Sequence, residues 1–175
     1  TGTVRVVGAG LLGASVGHPL RALGVDVVLE DASPSQLRLA IDYGAGRAAT
    51  PADEPTLIVV AVPPDVVADV VERELRTFPR AVVTDVASVK LEPLQELQAR
   101  GVDLTHYIGS HPLAGRERGG AISARADLFI GRPWVVCRDG KTPASDLALV
   151  EALALDLGAT PIEMTPEDHD RSVAL

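Results

Sequence analysis

One histidine, His111, sits in Gly109-Ser110-His111-Pro112-Leu113-Ala114-Gly115, a short segment bounded by glycines and stiffened by a proline. Far upstream, Gly8-Ala9-Gly10-Leu11-Leu12-Gly13 has the glycine spacing of a phosphate-cradling loop. The loop suggests a dinucleotide. The imidazole, whose unperturbed pKa lies nearest neutrality, suits proton abstraction beside a hydride transfer. By residue type alone His111 is as readily a satisfied structural histidine, so its meaning depends on where the fold places it.

The glycine spacing gains specificity from its surroundings. Val4 to Val7 is a β-branched run that reads as a strand, and Leu11 to Leu23 carries a helical pattern. Between them, Gly8 permits the tight turn, Gly10 lets the backbone approach a pyrophosphate, and Gly13 lets the helix pack close to the strand. The free N–H groups where the helix begins, around Leu11 and Leu12, would meet the diphosphate, aided by the helix dipole. Val25 to Leu29 reads as the second strand, and Glu30 and Asp31 follow it. Asp31 is the better placed of the two to accept hydrogen bonds from the ribose hydroxyls. A carboxylate there would repel a 2′-phosphate, which favours NAD over NADP. The plainer alternative is a glycine-rich turn followed by exposed turn acids. Ala61-Val62-Pro63 follows the most apolar run, Leu57 to Val62, and would line the ribose and nicotinamide.

Strand and helix alternate along the rest of the chain. Ser33-Pro34-Ser35-Gln36 forms a helix start with Ser33 as N-cap and Gln36 closing a capping box. Asp65 can cap a helix whose apolar positions include Val66, Val67, Val70, Val71 and Leu75. Ala81 to Thr84 reads as a strand, and Ser88 can cap the helix carrying Leu91, Leu94 and Leu97. Tyr107-Ile108 feeds the histidine segment. Pro133 to Cys137 reads as a strand, Thr142-Pro143 starts a helix ended by Gly158, and Thr160 to Glu163 is the last strand. Pro19 should kink or end the first helix, with His18 part of that adjustment. The expected fold is a Rossmann-type α/β domain, a doubly wound, mostly parallel sheet with helices on both faces. It should occupy residues 1–164. The helix opened by Thr165-Pro166 runs to Leu175 without a stop signal, so residues 165–175 read as the first helix of a truncated helical second domain.

Composition narrows the partners. The net charge of -8, with no segment concentrating Lys and Arg, argues against nucleic acid, and aromatics at 3% leave no stacking platform. No apolar stretch reaches the roughly 18–20 residues needed to span a bilayer, and no signal peptide is visible. The lone Cys137 permits no internal disulfide and suits a reducing cytoplasm. The four histidines lack metal-site spacing, so no metal is expected.

Several segments in order resemble prephenate dehydrogenases and the closely similar arogenate dehydrogenases. They are Thr84-Asp85-Val86-Ala87-Ser88-Val89-Lys90, then Gly109 through Glu117, then Asp127-Leu128-Phe129 and Gly131-Arg132-Pro133-Trp134, with Asp168-His169-Asp170 near the end. The resemblance covers essentially the whole chain. It implies NAD-dependent oxidative decarboxylation of prephenate to 4-hydroxyphenylpyruvate, in tyrosine biosynthesis. It implies that His111 accepts the hydrogen bond of the ring hydroxyl and that Ser88 supports the same centre. It places Arg116 and Glu117 near the substrate or its gate, where exposed loop charge is the plainer reading. Lys90 reads as a helix-face cation and Trp134 as core. The resemblance also implies a homodimer formed through a helical domain, which would bring further cations to the two substrate carboxylates. Arogenate as substrate, or NAD binding without turnover, are the competing readings.

Overall fold

The computed structural model describes residues 2–114 and 126–174. Eight strands form one sheet: β1 (Thr3–Val7), β2 (Val27–Glu30), β3 (Arg47–Ala48), β4 (Pro55–Val60), β5 (Val82–Asp85), β6 (Tyr107–Pro112), β7 (Pro133–Cys137) and β8 (Thr160–Met164). Their spatial order is β3-β2-β1-β4-β5-β6-β7-β8. Every neighbouring pair is parallel except β6 with β7. The chain winds outward from β1 in one direction, then from β4 in the other. The switch point therefore lies between β1 and β4, where such sheets bind ligands beyond their carboxyl ends.

The apolar runs become strands because both faces of the sheet are covered. In β4 the alternation separates two cores. Leu57 and Val59 face one layer with Val6, Leu29 and Trp134, while Ile58 and Val60 face the other with Val71 and Val83. The first layer is closed by α1 (Leu11–Ala22), α2 (Pro34–Asp42) and α5 (Ala144–Asp156), the second by α3 (Val67–Thr77) and α4 (Leu91–Ala99). A last helix, α6 (Pro166–Val173), packs on α4 and β7. Thr165 caps it, its hydroxyl accepting the Asp168 N–H at 3.1 Å.

Several local expectations are corrected. α1 spans Leu11–Ala22, close to the expected Leu11 to Leu23, with Pro19 inside it. The histidine segment is itself strand: His111 pairs with Val135 and Pro112 with Trp134 across the antiparallel β6–β7 ladder. Ser33 does cap α2, but Gln36 does not complete the box. Its Nε2 donates to Asp31 at 2.8 Å, and the Ser33 N–H goes to the same carboxylate at 2.7 Å. Asp65 lies in a short 3-10 turn, and α3 has no side-chain cap. Ser88 does not cap α4 either. That helix starts at Leu91, and the carboxylate that receives its first N–H groups is Asp170, from α6. Edge strand β3 adds a short element that the apolar pattern does not signal.

Lys90 is the largest departure. It is 1% exposed and pairs with Asp85, which is 0% exposed. Asp85 also accepts the Tyr107 hydroxyl at 2.7 Å and the Ala87 N–H at 3.1 Å. Burial, together with the neighbouring Asp85 charge, holds the Tyr107 hydroxyl well above the usual phenol range. Breaking a buried pair from one side strands the other charge. Lys90→Met is therefore expected to lower stability by about 3–5 kcal/mol in urea unfolding, with much of the loss recovered by Lys90→Met combined with Asp85→Asn. A single-variant loss below about 1 kcal/mol would contradict this reading of the pair.

Candidate active site

A cleft of about 1020 Å³ opens at the carboxyl edge of the sheet, from Val70 and Arg73 at one end to Ser88, His111 and Ala114 at the other. Its floor is the glycine loop. Gly8 has φ +99°, and a Cβ on Gly13 would lie 1.8 Å from the Gly8 carbonyl oxygen, so α1 starts in contact with the turn that feeds it. Gly10 is the N-cap of α1 and offers no side chain, and no side chain caps the helix. The N–H groups of Leu11 and Leu12 open α1 where it lines the cleft, so the positive end of the helix dipole faces it, whereas Gly13 is buried against the Gly8 turn and does not line it.

Asp31 sits beside this loop and holds it. One carboxylate oxygen accepts the Ala9 N–H at 2.7 Å, and the other accepts the Ser33 N–H. An ionised carboxylate has about four lone-pair positions, so room remains for a hydroxyl. Its neighbour Glu30 is committed elsewhere, to Arg5 at 2.5 Å and Arg73 at 3.0 Å. Arg5 and Arg73 also both meet the buried Glu74, so Glu30 and Glu74 join β1 and β2 to α3. Ala61, Val62 and Pro63 line the middle of the cleft, with Val66 and Val70. Val66 and Val70 thus form a cleft-facing stripe on the same segment whose Val67 and Val71 enter the core.

At the far end, His111 is half-buried. Its Nδ1 lies 2.8 Å from Nε2 of His169, and Nδ1 of His169 lies 2.7 Å from Oδ1 of Asp170. The two rings meet edge to face, 5.0 Å apart at their centroids. Burial lowers the His111 pKa to about 4, assisted by nearby His169 and Lys90 and opposed by Asp170. The ring is therefore neutral at neutral pH and able to accept a proton. Beneath it, the Ser110 hydroxyl donates to the Asp85 carbonyl at 3.0 Å and lies 2.8 Å from the Thr84 hydroxyl, which pins β6 to β5.

The structure brings most of the anticipated residues to one cleft: Gly8, Gly10, Leu11, Leu12, Asp31, Ala61, Val62, Pro63, Ser88 and His111 all line it. Ser88 is exposed on the loop after β5. Arg116 and Glu117 lie outside the described residues. Trp134 is fully buried, 5.1 Å from Phe129 between ring centroids. Sequence reasoning missed His169, Asp170 and Lys90 as neighbours of His111. The available signal was the Asp-His-Asp run inside a well-capped helix, but its contact spans 58 residues.

The family described as "Prephenate dehydrogenase, nucleotide-binding domain" matches residues 16–163. A Streptomyces niveus protein named as a probable prephenate dehydrogenase is 42% identical over 173 residues, covering 99% of this chain and 48% of its own length. The structure of prephenate dehydrogenase from A. aeolicus, in complex with hydroxyphenyl propionate and NAD+, superposes with a TM-score of 0.90 at 25% identity, over 100% of this chain and 64% of that one. Synechocystis arogenate dehydrogenase gives a TM-score of 0.85 at 30% identity, over 98% and 63%. The chain spans about half the length of the curated relatives it matches first.

The depressed His111 pKa has a consequence for stability. The unfolded chain binds a proton there near the ordinary value of 6.5, and the folded chain only near 4. The unfolded state holds more protons between these values, so the contribution is fully present above pH 6.5 and is lost as pH falls toward 4. Denaturant unfolding of the wild type should therefore weaken more steeply over that window than unfolding of His111→Gln. Parallel curves for the two proteins would contradict it.

Proposed function

The chain belongs to the prephenate dehydrogenase family as its nucleotide-binding domain, and from that premise we propose that it is the NAD-binding half of an enzyme that oxidatively decarboxylates prephenate to 4-hydroxyphenylpyruvate. The supporting observation is that one cleft joins an uncapped helix N-terminus to a neutral histidine. The residues present suit a dinucleotide. The N–H groups of Leu11 and Leu12 would take the pyrophosphate, Asp31 the ribose hydroxyls, and Ala61, Val62 and Pro63 the path to the nicotinamide. The Asp31 charge disfavours a 2′-phosphate, which makes NAD rather than NADP the cofactor.

NAD, when bound, supplies the hydride acceptor. His111 presents an imidazole to the cleft and accepts the proton of the hydroxyl on C4 of the substrate ring. As that proton leaves, hydride leaves C4, the ring carboxylate departs as CO2, and the electron pair it leaves behind completes the aromatic ring. The proton held by His111 then returns to the phenolic oxygen. Ser88, exposed in the cleft wall, supports the hydroxyl end of this centre, and Arg116 and Glu117, which follow the histidine segment in the sequence, are the candidates to contact the substrate or gate its pocket. The substrate carries two carboxylates and needs further cations. These, and a homodimer, come from the portion that the relatives carry beyond the matched half. A cytoplasmic setting suits the single buried thiol, Cys137. Among the described residues no helix is long and apolar enough to cross a membrane.

The likeness to an arogenate dehydrogenase favours a second reading in which the side chain carries an amino group in place of the keto group. Assay of the full-length protein with each substrate, and with NAD and NADP, decides among these readings. The expected result is NADH formation from prephenate. Turnover of arogenate alone supports the second reading, and NAD binding without turnover of either contradicts both. His111→Asn is expected to lower kcat by about 10²–10⁴-fold with NAD affinity retained; a fully active variant removes His111 as the base. Asp31→Ala should weaken NAD binding and narrow its advantage over NADP, and an unchanged NAD/NADP ratio would remove Asp31 from the ribose site.

A further inference from the structure

We propose that His169 and Asp170, both in α6, are positioning residues that fix the tautomer of His111, so that its Nδ1 carries the hydrogen and its Nε2 is presented bare to the cleft. The tautomer rests on the packing and on a neutral His169; its value for catalysis rests in addition on the reading of His111 as the base.

The direction of every hydrogen in this chain is set from its acidic end. Asp170 accepts the Lys90 N–H at 2.9 Å through Oδ1 and the Leu91 N–H at 3.0 Å through Oδ2. Backbone N–H groups only donate, so both oxygens act as acceptors. Burial by itself would raise the Asp170 pKa, but the hydrogen bonds from His169, Leu91 and Lys90 outweigh it and bring the value below the ordinary one. The carboxylate is thus ionised and has no hydrogen to give. His169 Nδ1, 2.7 Å from Oδ1, must be the donor. His169 enters the proposal as a buried neutral ring whose one hydrogen is on Nδ1, which leaves its Nε2 bare. That nitrogen lies 2.8 Å from His111 Nδ1. Two bare nitrogens at this distance would repel, so the hydrogen sits on His111 Nδ1. A neutral ring carries only one, and His111 Nε2 is the acceptor on the cleft side.

The arrangement is held by tertiary structure rather than by the loop around His111. Asp170, in α6, accepts the N–H groups at the start of α4 and is also the terminus of the histidine chain, so the ends of two helices meet behind His111. When His111 takes a proton at Nε2, the positive charge on its ring faces a neutral acceptor backed by a carboxylate. The ring is therefore oriented before substrate arrives, and the charge it gains is stabilised without rearrangement.

The test is long-range proton–nitrogen correlation NMR on the full-length protein with 15N-labelled histidine near pH 7. His111 is identified by its absence in His111→Asn. The expected result is a pyrrole-type Nδ1 and a pyridine-type Nε2 for His111, the reverse of the tautomer histidine favours in water. Asp170→Asn, which cannot accept from three donors, should abolish this pattern. A pyridine-type Nδ1 on His111 in the wild type overturns the proposal, whether it arises from an unordered ring or from a doubly protonated His169. The wild-type spectrum decides this even if the variant does not fold. An Nδ1–H pattern that survives in a folded Asp170→Asn variant overturns the role of Asp170. In activity, Asp170→Asn should lower kcat about 10²-fold with NAD affinity unchanged. Should the protein turn over neither prephenate nor arogenate, the proposed function falls while the spectrum still decides the tautomer.

Discussion

The loops at the carboxyl edge of a parallel sheet are rich in backbone N–H groups that the ladder does not use, and here carboxylates satisfy them. Asp31 accepts from Ala9, Ser33 and Gln36; Asp85 accepts from Ala87, Lys90 and Tyr107; Asp170 accepts from Lys90, Leu91 and His169. Each one ties a loop or helix start to a distant part of the chain. Hydrogen bonds to a charged acceptor are worth roughly twice those between neutral groups. This is how short loops with few apolar contacts of their own are held still enough to form a cleft.

The same carboxylates divide the cleft by function. The start of α1 is left uncapped, so its positive end stays open to an anion while the acid beside it reads hydroxyls. At the other end, the carboxylates of Asp85 and Asp170 stand outside the cleft lining that His111 faces. The imidazole meets the cleft neutral, with the means to accommodate a positive charge already built in. An acidic chain with a net charge of -8 is thus compatible with binding a diphosphate, since the local field is set by a helix terminus rather than by the sum of side chains.

Much of the frame was legible from sequence because parallel strands covered on both faces read as unbroken apolar runs, and because Gly8, Gly10 and Gly13 stand between a strand and a helix. What escaped depends on partners far along the chain. Ser88 reads as a cap by position, yet the cap of α4 comes from Asp170, about 80 residues away. Lys90 precedes an amphipathic helix and reads as a surface cation; its burial follows from Asp85, which itself looks like an ordinary strand-end acid. His169 lies in a polar run whose buried face exists only once α6 lies against α4 and β7. Strand β3 is two residues long, too short for any periodicity.

The central claim is that a dinucleotide lies along this cleft with its reactive ring at His111. A crystal structure of the full-length protein with NAD tests it most directly. The account predicts the pyrophosphate on the N–H groups of Leu11 and Leu12, a ribose on Asp31, and the nicotinamide ring between Ala61 and the Ser88–His111 wall. A nicotinamide remote from His111, or a dinucleotide bound away from the glycine loop, would contradict it.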